Sequence, residues 1–139
     1  MIETFGTFTG IGVGPGPQEF LTLKSFNALM KADKVLVPRA KGSSNSVALT
    51  CIKDIDIQQD KIEFLDYPMS NDESLLSSIY LEIAAKIIAD LKNKLNLVYI
   101  TIGDPYIYST YSYTVNALKE LRPDIHESTY PLISSFQAF

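Results

Sequence analysis

The chain has 139 residues, 46% of them hydrophobic and 20% charged, with a formal net charge of −4 from 12 basic and 16 acidic residues. That is one domain's worth of a globular chain, large enough to bury a sizeable core. An acidic balance without any local Lys/Arg cluster excludes an electrostatic footprint for nucleic acid, and a single cysteine (Cys51) with a single histidine (His126) excludes an internal disulfide framework and a Cys/His zinc centre.

No apolar run approaches membrane-spanning length, and the N-terminus lacks a basic-then-apolar signal pattern. The expectation is a cytoplasmic protein with no membrane and no nucleic-acid partner. The scattered Asp54, Asp56, Asp60 and Asp72 show no metal-ligand spacing, so no metal site is expected. Cys51 reads as a small core residue and His126 as a surface residue at a strand end.

In chain order, FTGIGV (residues 8–13) reads as a first strand running into the turn GPGP. Residues 19–31 follow with apolar positions near helical period, and Pro17 suits the first turn of that helix. DKVLVP (33–38) reads as a second strand ended by Pro38, and RAKGSSNS as a polar loop. Residues 46–52 suggest a short helix. KIEFLDYP (61–68) reads as a third strand. Ser70 to Glu73 has the pattern of a capping box, ahead of Leu75, Ile79, Ile83 and Ile87 on one helical face and the exposed pair Glu82 and Lys86. LVYITI (97–102) is almost wholly apolar, as a strand buried on both faces should be. A helix is expected over 106–122, a last strand over 125–130, and a helix start at Ser134. Strands alternating with helices imply an α/β fold, a mainly parallel doubly wound sheet flanked by helices.

In such sheets ligands bind beyond the carboxyl ends of the strands. Three turns fall there: GPGP, the GDP of residues 103–105, and PLISS at 131–135. GIGVGPGP fails the dinucleotide fingerprint in either frame, because Pro15 or Pro17 stands where the third glycine belongs, and no Gly-Lys-Ser/Thr closes a phosphate loop. What remains is a turn whose backbone can approach a ligand closely. In GDPYIYSTYSY, Gly103 permits close approach, Asp104 places an anion at a strand end, and Pro105 opens the helix. Tyr108 and Tyr111 share a face with Ile107, Val115 and Leu118 toward the sheet, while Tyr106 and Tyr113 face away. The inward pair serves packing, with hydroxyls near enough to the strand end for a second use. Ser134 and Ser135 could offer donors at a helix N-terminus.

Taken together, GIGVGPGP with EFLTLKSFNAL, DKVLVP, GDPYIYST and YPLISSFQAF resembles the tetrapyrrole (corrin/porphyrin) methyltransferase family, along essentially the whole chain. GDPYIYSTYSY looks most like the branch that methylates C20 of precorrin-2 or of cobalt-factor II. The resemblance implies an S-adenosyl-L-methionine-dependent methyltransferase of cobalamin biosynthesis, a homodimer that binds its cofactor between two α/β domains with the tetrapyrrole in an adjoining trough. It implies that Pro15 borders the cofactor. Ile102, Gly103, Asp104 and Ile107 would hold its methionine end, and Ser134 and Ser135 would touch it from the last turn. Gly12, Gly14 and Gly16 would face the tetrapyrrole, and Tyr108 is the candidate catalytic polar group near the reacting carbon. Residues 1–139 would then be a single N-terminal α/β domain, with the family's C-terminal domain absent from this chain. Three positions depart from the pattern. Pro17 replaces an acidic residue of the first turn, Leu132 replaces a glycine, and Pro38 stands where some relatives carry a catalytic Asp. Two alternatives are a non-catalytic isolated domain and another methylase of the superfamily, such as diphthine synthase.

Overall fold

The computed structural model describes residues 5–12, 23–40, 57–68, 70, 72–101 and 105–130, with backbone alone at 40, 105–109 and 128–130. The elements are β1 (Phe8–Gly12), α1 (Leu23–Lys31), β2 (Lys34–Ala40), β3 (Ile62–Tyr67), α2 (Glu73–Lys92), β4 (Leu97–Thr101), α3 (Pro105–Leu121) and β5 (Glu127–Tyr130). A 3-10 turn at Gln59–Lys61 leads into β3. The strands form one sheet in the order β3-β2-β4-β1-β5, and every pairing is parallel. The expected alternation and parallel sheet are therefore present. The helices expected over 46–52 and from Ser134, and Cys51, lie outside the described residues.

Alternation along the strands sorts the core into two layers. On one face, Phe8, Leu36, Leu65, Tyr67, Leu97 and Tyr99 pack against α2 and α3 through Ile83, Ile87, Leu91, Tyr111 and Leu118. On the other, Ile11, Val35, Val37, Val98 and Ile100 pack with Leu29 of α1. All five residues of β4 are buried, as its unbroken apolar run requires.

Two local expectations change. β2 does not stop at Pro38 but continues to Ala40, with Pro38 opposite Leu65 of β3. The β2–β4 ladder ends at Leu36, so a missing N–H two residues later interrupts nothing on that side. The start of α2 is also not a Ser70–Glu73 box. Asp72 is the N-cap, its Oδ1 accepting from the Ser74 and Leu75 amides at 3.0 and 3.2 Å. Ser70 Oγ accepts instead from the Asp72 amide at 3.0 Å. Asp72→Ala should therefore lower stability by about 0.5–2 kcal/mol. Chemical denaturation would check this, and an unchanged midpoint would refute the cap assignment.

Candidate functional site at the carboxyl ends of β1 and β4

The sheet order fixes where a ligand can enter. β1 connects toward β2 on one side of the sheet, and β4 connects toward β5 on the other. β1 and β4 are neighbours, so the chain leaves their carboxyl ends in opposite directions and a crevice opens between them. Gly12 closes β1 directly opposite Thr101, the last residue of β4. The glycine contributes no side chain to the crevice. Thr101 is buried, with its hydroxyl 3.5 Å from the Ile11 carbonyl. The two turns that sequence reading singled out first, GPGP and GDP, follow these two strands.

Of the expected site residues, Gly12 stands at the crevice, and Ile107 and Tyr108 lie in the opening turns of α3. Gly14, Pro15, Gly16, Ile102, Gly103, Asp104, Ser134 and Ser135 lie outside the described residues. Tyr111 is buried with Val115 and Leu118, and Tyr113 is exposed, as the helical wheel requires. His126 is exposed, at the approach to β5.

Sequence reading passed over a buried hydroxyl cluster behind the crevice. Thr114 Oγ1 donates to the Thr110 carbonyl at 2.6 Å. It therefore accepts from Tyr67, whose hydroxyl lies 2.8 Å away. The Tyr99 hydroxyl is 2.8 Å from that of Tyr67 and 3.3 Å from Thr110 Oγ1. These bonds tie β3 and β4 to the inner face of α3, just beyond the helix's opening turns. Burial pushes the Tyr67 phenol well above its ordinary value, with the neighbouring Tyr99 adding to the rise. Burial likewise pushes Tyr99 up to about 12, although hydrogen bonds from its neighbours oppose the rise. Both phenols are neutral near pH 7, so the cluster positions α3 and carries no charge. The threonines at i and i+4 on the inward face of α3, level with a tyrosine in an almost wholly apolar strand, were the available signal.

Charged groups gather mostly at the opposite, amino-terminal ends of the strands. Lys34 pairs with Asp90 at 3.0 Å and Glu63 at 3.7 Å, and the Asp90 bond leads the rise in its pKa. At the carboxyl ends, Arg39 Nε donates to Asp66 at 2.6 Å. Among the described residues there is no cluster of His, Cys, Asp and Glu able to hold a metal ion, and no helix long and apolar enough to cross a membrane.

Residues 7–139 match the family Tetrapyrrole (Corrin/Porphyrin) Methylases. The chain is 40% identical over 111 residues to the probable cobalt-precorrin-2 C(20)-methyltransferase of Methanocaldococcus jannaschii, covering 80% of this chain and 46% of that protein. It is 24% identical over 113 residues to the cobalt-precorrin-2 C(20)-methyltransferase of Salmonella typhimurium, covering 81% and 48%. The chain thus spans about half the length of these relatives. Among solved structures, a cobalamin-synthesis-related protein (CobF) from Corynebacterium diphtheriae superposes with a TM-score of 0.65 at 20% identity, over 96% of this chain and 56% of that one. The uroporphyrin-III-C-methyltransferase of Thermus thermophilus does so with a TM-score of 0.55 at 23% identity, over 96% and 50%. At these identities the likeness is one of fold. With a family match over nearly the whole chain, this chain belongs to the tetrapyrrole (corrin/porphyrin) methylases.

Proposed function

We propose that this chain is the N-terminal half of an S-adenosyl-L-methionine-dependent methyltransferase acting on the C20 meso carbon of precorrin-2 or its cobalt-loaded form, in cobalamin biosynthesis. The observation that carries the reading is the β1/β4 switch point, after which the sequence continues into GPGP and GDP, in a chain 40% identical to a probable cobalt-precorrin-2 C(20)-methyltransferase. The side-chain-free end of β1 at Gly12 leaves room for a ligand to approach the crevice, with the Thr101 hydroxyl of β4 directly opposite.

When bound, S-adenosyl-L-methionine supplies an electrophilic methyl group on a sulfonium. The chain's own work is then positioning and exclusion of water. In this proposal Asp104 opposes the positive charge at the methionine end, and Ile102, Gly103 and Ile107 line it. Pro15 borders it, and Ser134 and Ser135 contact it from the last turn. Gly12, Gly14 and Gly16 leave room for the tetrapyrrole. A meso carbon between two pyrrole rings is already nucleophilic, so no strong base is required for attack. Tyr108 serves as the polar group beside the reacting carbon as its proton leaves. The complete enzyme is a cytoplasmic homodimer with a second domain.

Calorimetric titration of S-adenosylhomocysteine into this chain and into the longer Methanocaldococcus protein tests the reading. Binding to both is the expected result, and Asp104→Ala should weaken it by about 10- to 100-fold, as loss of a charge-assisted hydrogen bond does. Binding to neither would remove the methyltransferase reading. Binding to the longer protein alone favours a second reading, prompted by the half-length match, in which this chain is a folded domain without activity of its own.

A further inference from the structure

The chain contains two arginines, Arg39 and Arg122, and they are held differently. Arg122 follows α3, at the amino-terminal ends of the strands. It spends two of its nitrogens on Asp124, Nε at 3.2 Å and Nη2 at 2.9 Å. Arg39 is the penultimate residue of β2, at the carboxyl end of the sheet. Its Nε donates to Asp66 at 2.6 Å, and its guanidinium lies 4.2 Å above the Phe64 ring. One contact fixes the edge of the plane and the other fixes its face. Asp66 thus takes the Nε edge, while the terminal Nη groups bond to no described residue, and the side chain remains 25% exposed. A guanidinium so held is a pre-set fork for an incoming carboxylate.

Its level in the sheet matters as much as its chemistry. β2 pairs with β4 in the register Leu36 to Tyr99. Counting on, Pro38 stands level with Thr101, and Arg39 one step past the end of β4. β4 in turn pairs with β1, so Arg39 lies between one and two strand spacings, about 5–10 Å, to the side of the switch point. We infer that Arg39 is a substrate-reading residue, whose fixed guanidinium binds a peripheral carboxylate of the tetrapyrrole and sets how the macrocycle lies over the crevice. This rests on the proposed function, because substrates of that class carry acetate and propionate groups around the rim.

The test uses uroporphyrin III as a polycarboxylate probe, titrated into this chain by fluorescence, with S-adenosylhomocysteine affinity and melting temperature measured beside it. Losing an exposed ion pair costs the fold little, so Arg39→Gln should remain folded. The expected result is a loss of about 10- to 100-fold in porphyrin affinity, with cofactor affinity and melting temperature unchanged. Arg39→Lys should recover part of the loss, since an ammonium restores the charge but not the fork. Equal porphyrin binding by wild type and Arg39→Gln, with cofactor binding intact, would overturn the Arg39 assignment and leave the methyltransferase reading standing. Parallel losses of porphyrin affinity, cofactor affinity and melting temperature would make Arg39 a purely structural residue. A wild-type chain that bound no porphyrin would overturn the Arg39 assignment, and the methyltransferase reading would fall with it only if the longer Methanocaldococcus protein also failed to bind S-adenosylhomocysteine.

Discussion

Replacing Gly10 with alanine is expected to destabilise the protein by about 1–3 kcal/mol, the usual cost of forcing extra volume into a packed core. Gly10 lies mid-strand in β1, facing α3. A Cβ there would meet the hydroxyl end of the Tyr111 ring, with Cε1 at 2.6 Å. The ring cannot simply swing away. It stacks on Phe8 at 6.4 Å and 8°, leans on Tyr99 at 5.2 Å, and its hydroxyl donates to the Glu127 carboxylate of β5. Moving it disturbs β1, β4 and β5 together. Substituting glycine by alanine at a relaxed site would instead gain about 0.4–1 kcal/mol through the unfolded chain, so the sign of the effect separates the two cases. Thermal melts should show the loss as a fall of roughly 5–15 °C. In a Tyr111→Ala background the same substitution should cost far less, and a cost independent of Tyr111 would refute the contact as its cause.

That glycine shows how far the sequence could be read. The alternation of apolar runs and amphipathic segments was enough for a parallel α/β sheet, because the burial of the central strand β4 on both faces is written in its own residues. The unbroken run at 97–101 and the inward positions Tyr111, Val115 and Leu118 are where the pattern placed them. The strand order was not legible, since it depends on which strands meet across long connections, and the switch point between β1 and β4 emerges only from it. The glycine-rich stretch invited a ligand-facing reading throughout. At Gly10 the reason is internal instead, because α3 approaches β1 too closely for any side chain. Composition cannot separate those two causes. The partnership of Tyr67, Tyr99, Thr110 and Thr114 was hidden for a similar reason. Each hydroxyl alone reads as a local choice, and only the packing of α3 on β3 and β4 brings them within 2.8–3.3 Å of one another. Arg39 is the same kind of case, for its register against Asp66 depends on β2 continuing through Pro38.

The buried phenols predict a distinctive response to alkali. In the unfolded chain a tyrosine ionises near its ordinary value of 10.0, whereas burial holds Tyr99 protonated to about 12 and Tyr67 higher than its ordinary value as well. Above pH 10 the unfolded chain therefore binds fewer protons than the folded one, and stability must fall as pH rises. The contribution is complete below pH 10 and is progressively lost through the folded-state value near 12. For Tyr99 alone a rise of this size amounts to about 2–3 kcal/mol. Lys34, raised chiefly by its bond to Asp90, acts in the same direction. Urea midpoints measured between pH 8 and pH 12 should fall steeply above pH 10, with tyrosinate absorbance from the buried pair appearing only as the protein unfolds. Tyr99→Phe removes one phenol and leaves Tyr67 and Thr114 bonded to each other. It should cost about 1 kcal/mol at pH 8 through the lost hydrogen bonds, yet narrow the gap to wild type as pH rises, because a phenylalanine has no proton to lose. Parallel curves for wild type and Tyr99→Phe across this range would mean that the Tyr99 phenol ionises in the folded protein as freely as in water. The tie between β4 and α3 would then be far wetter than the burial of its members implies.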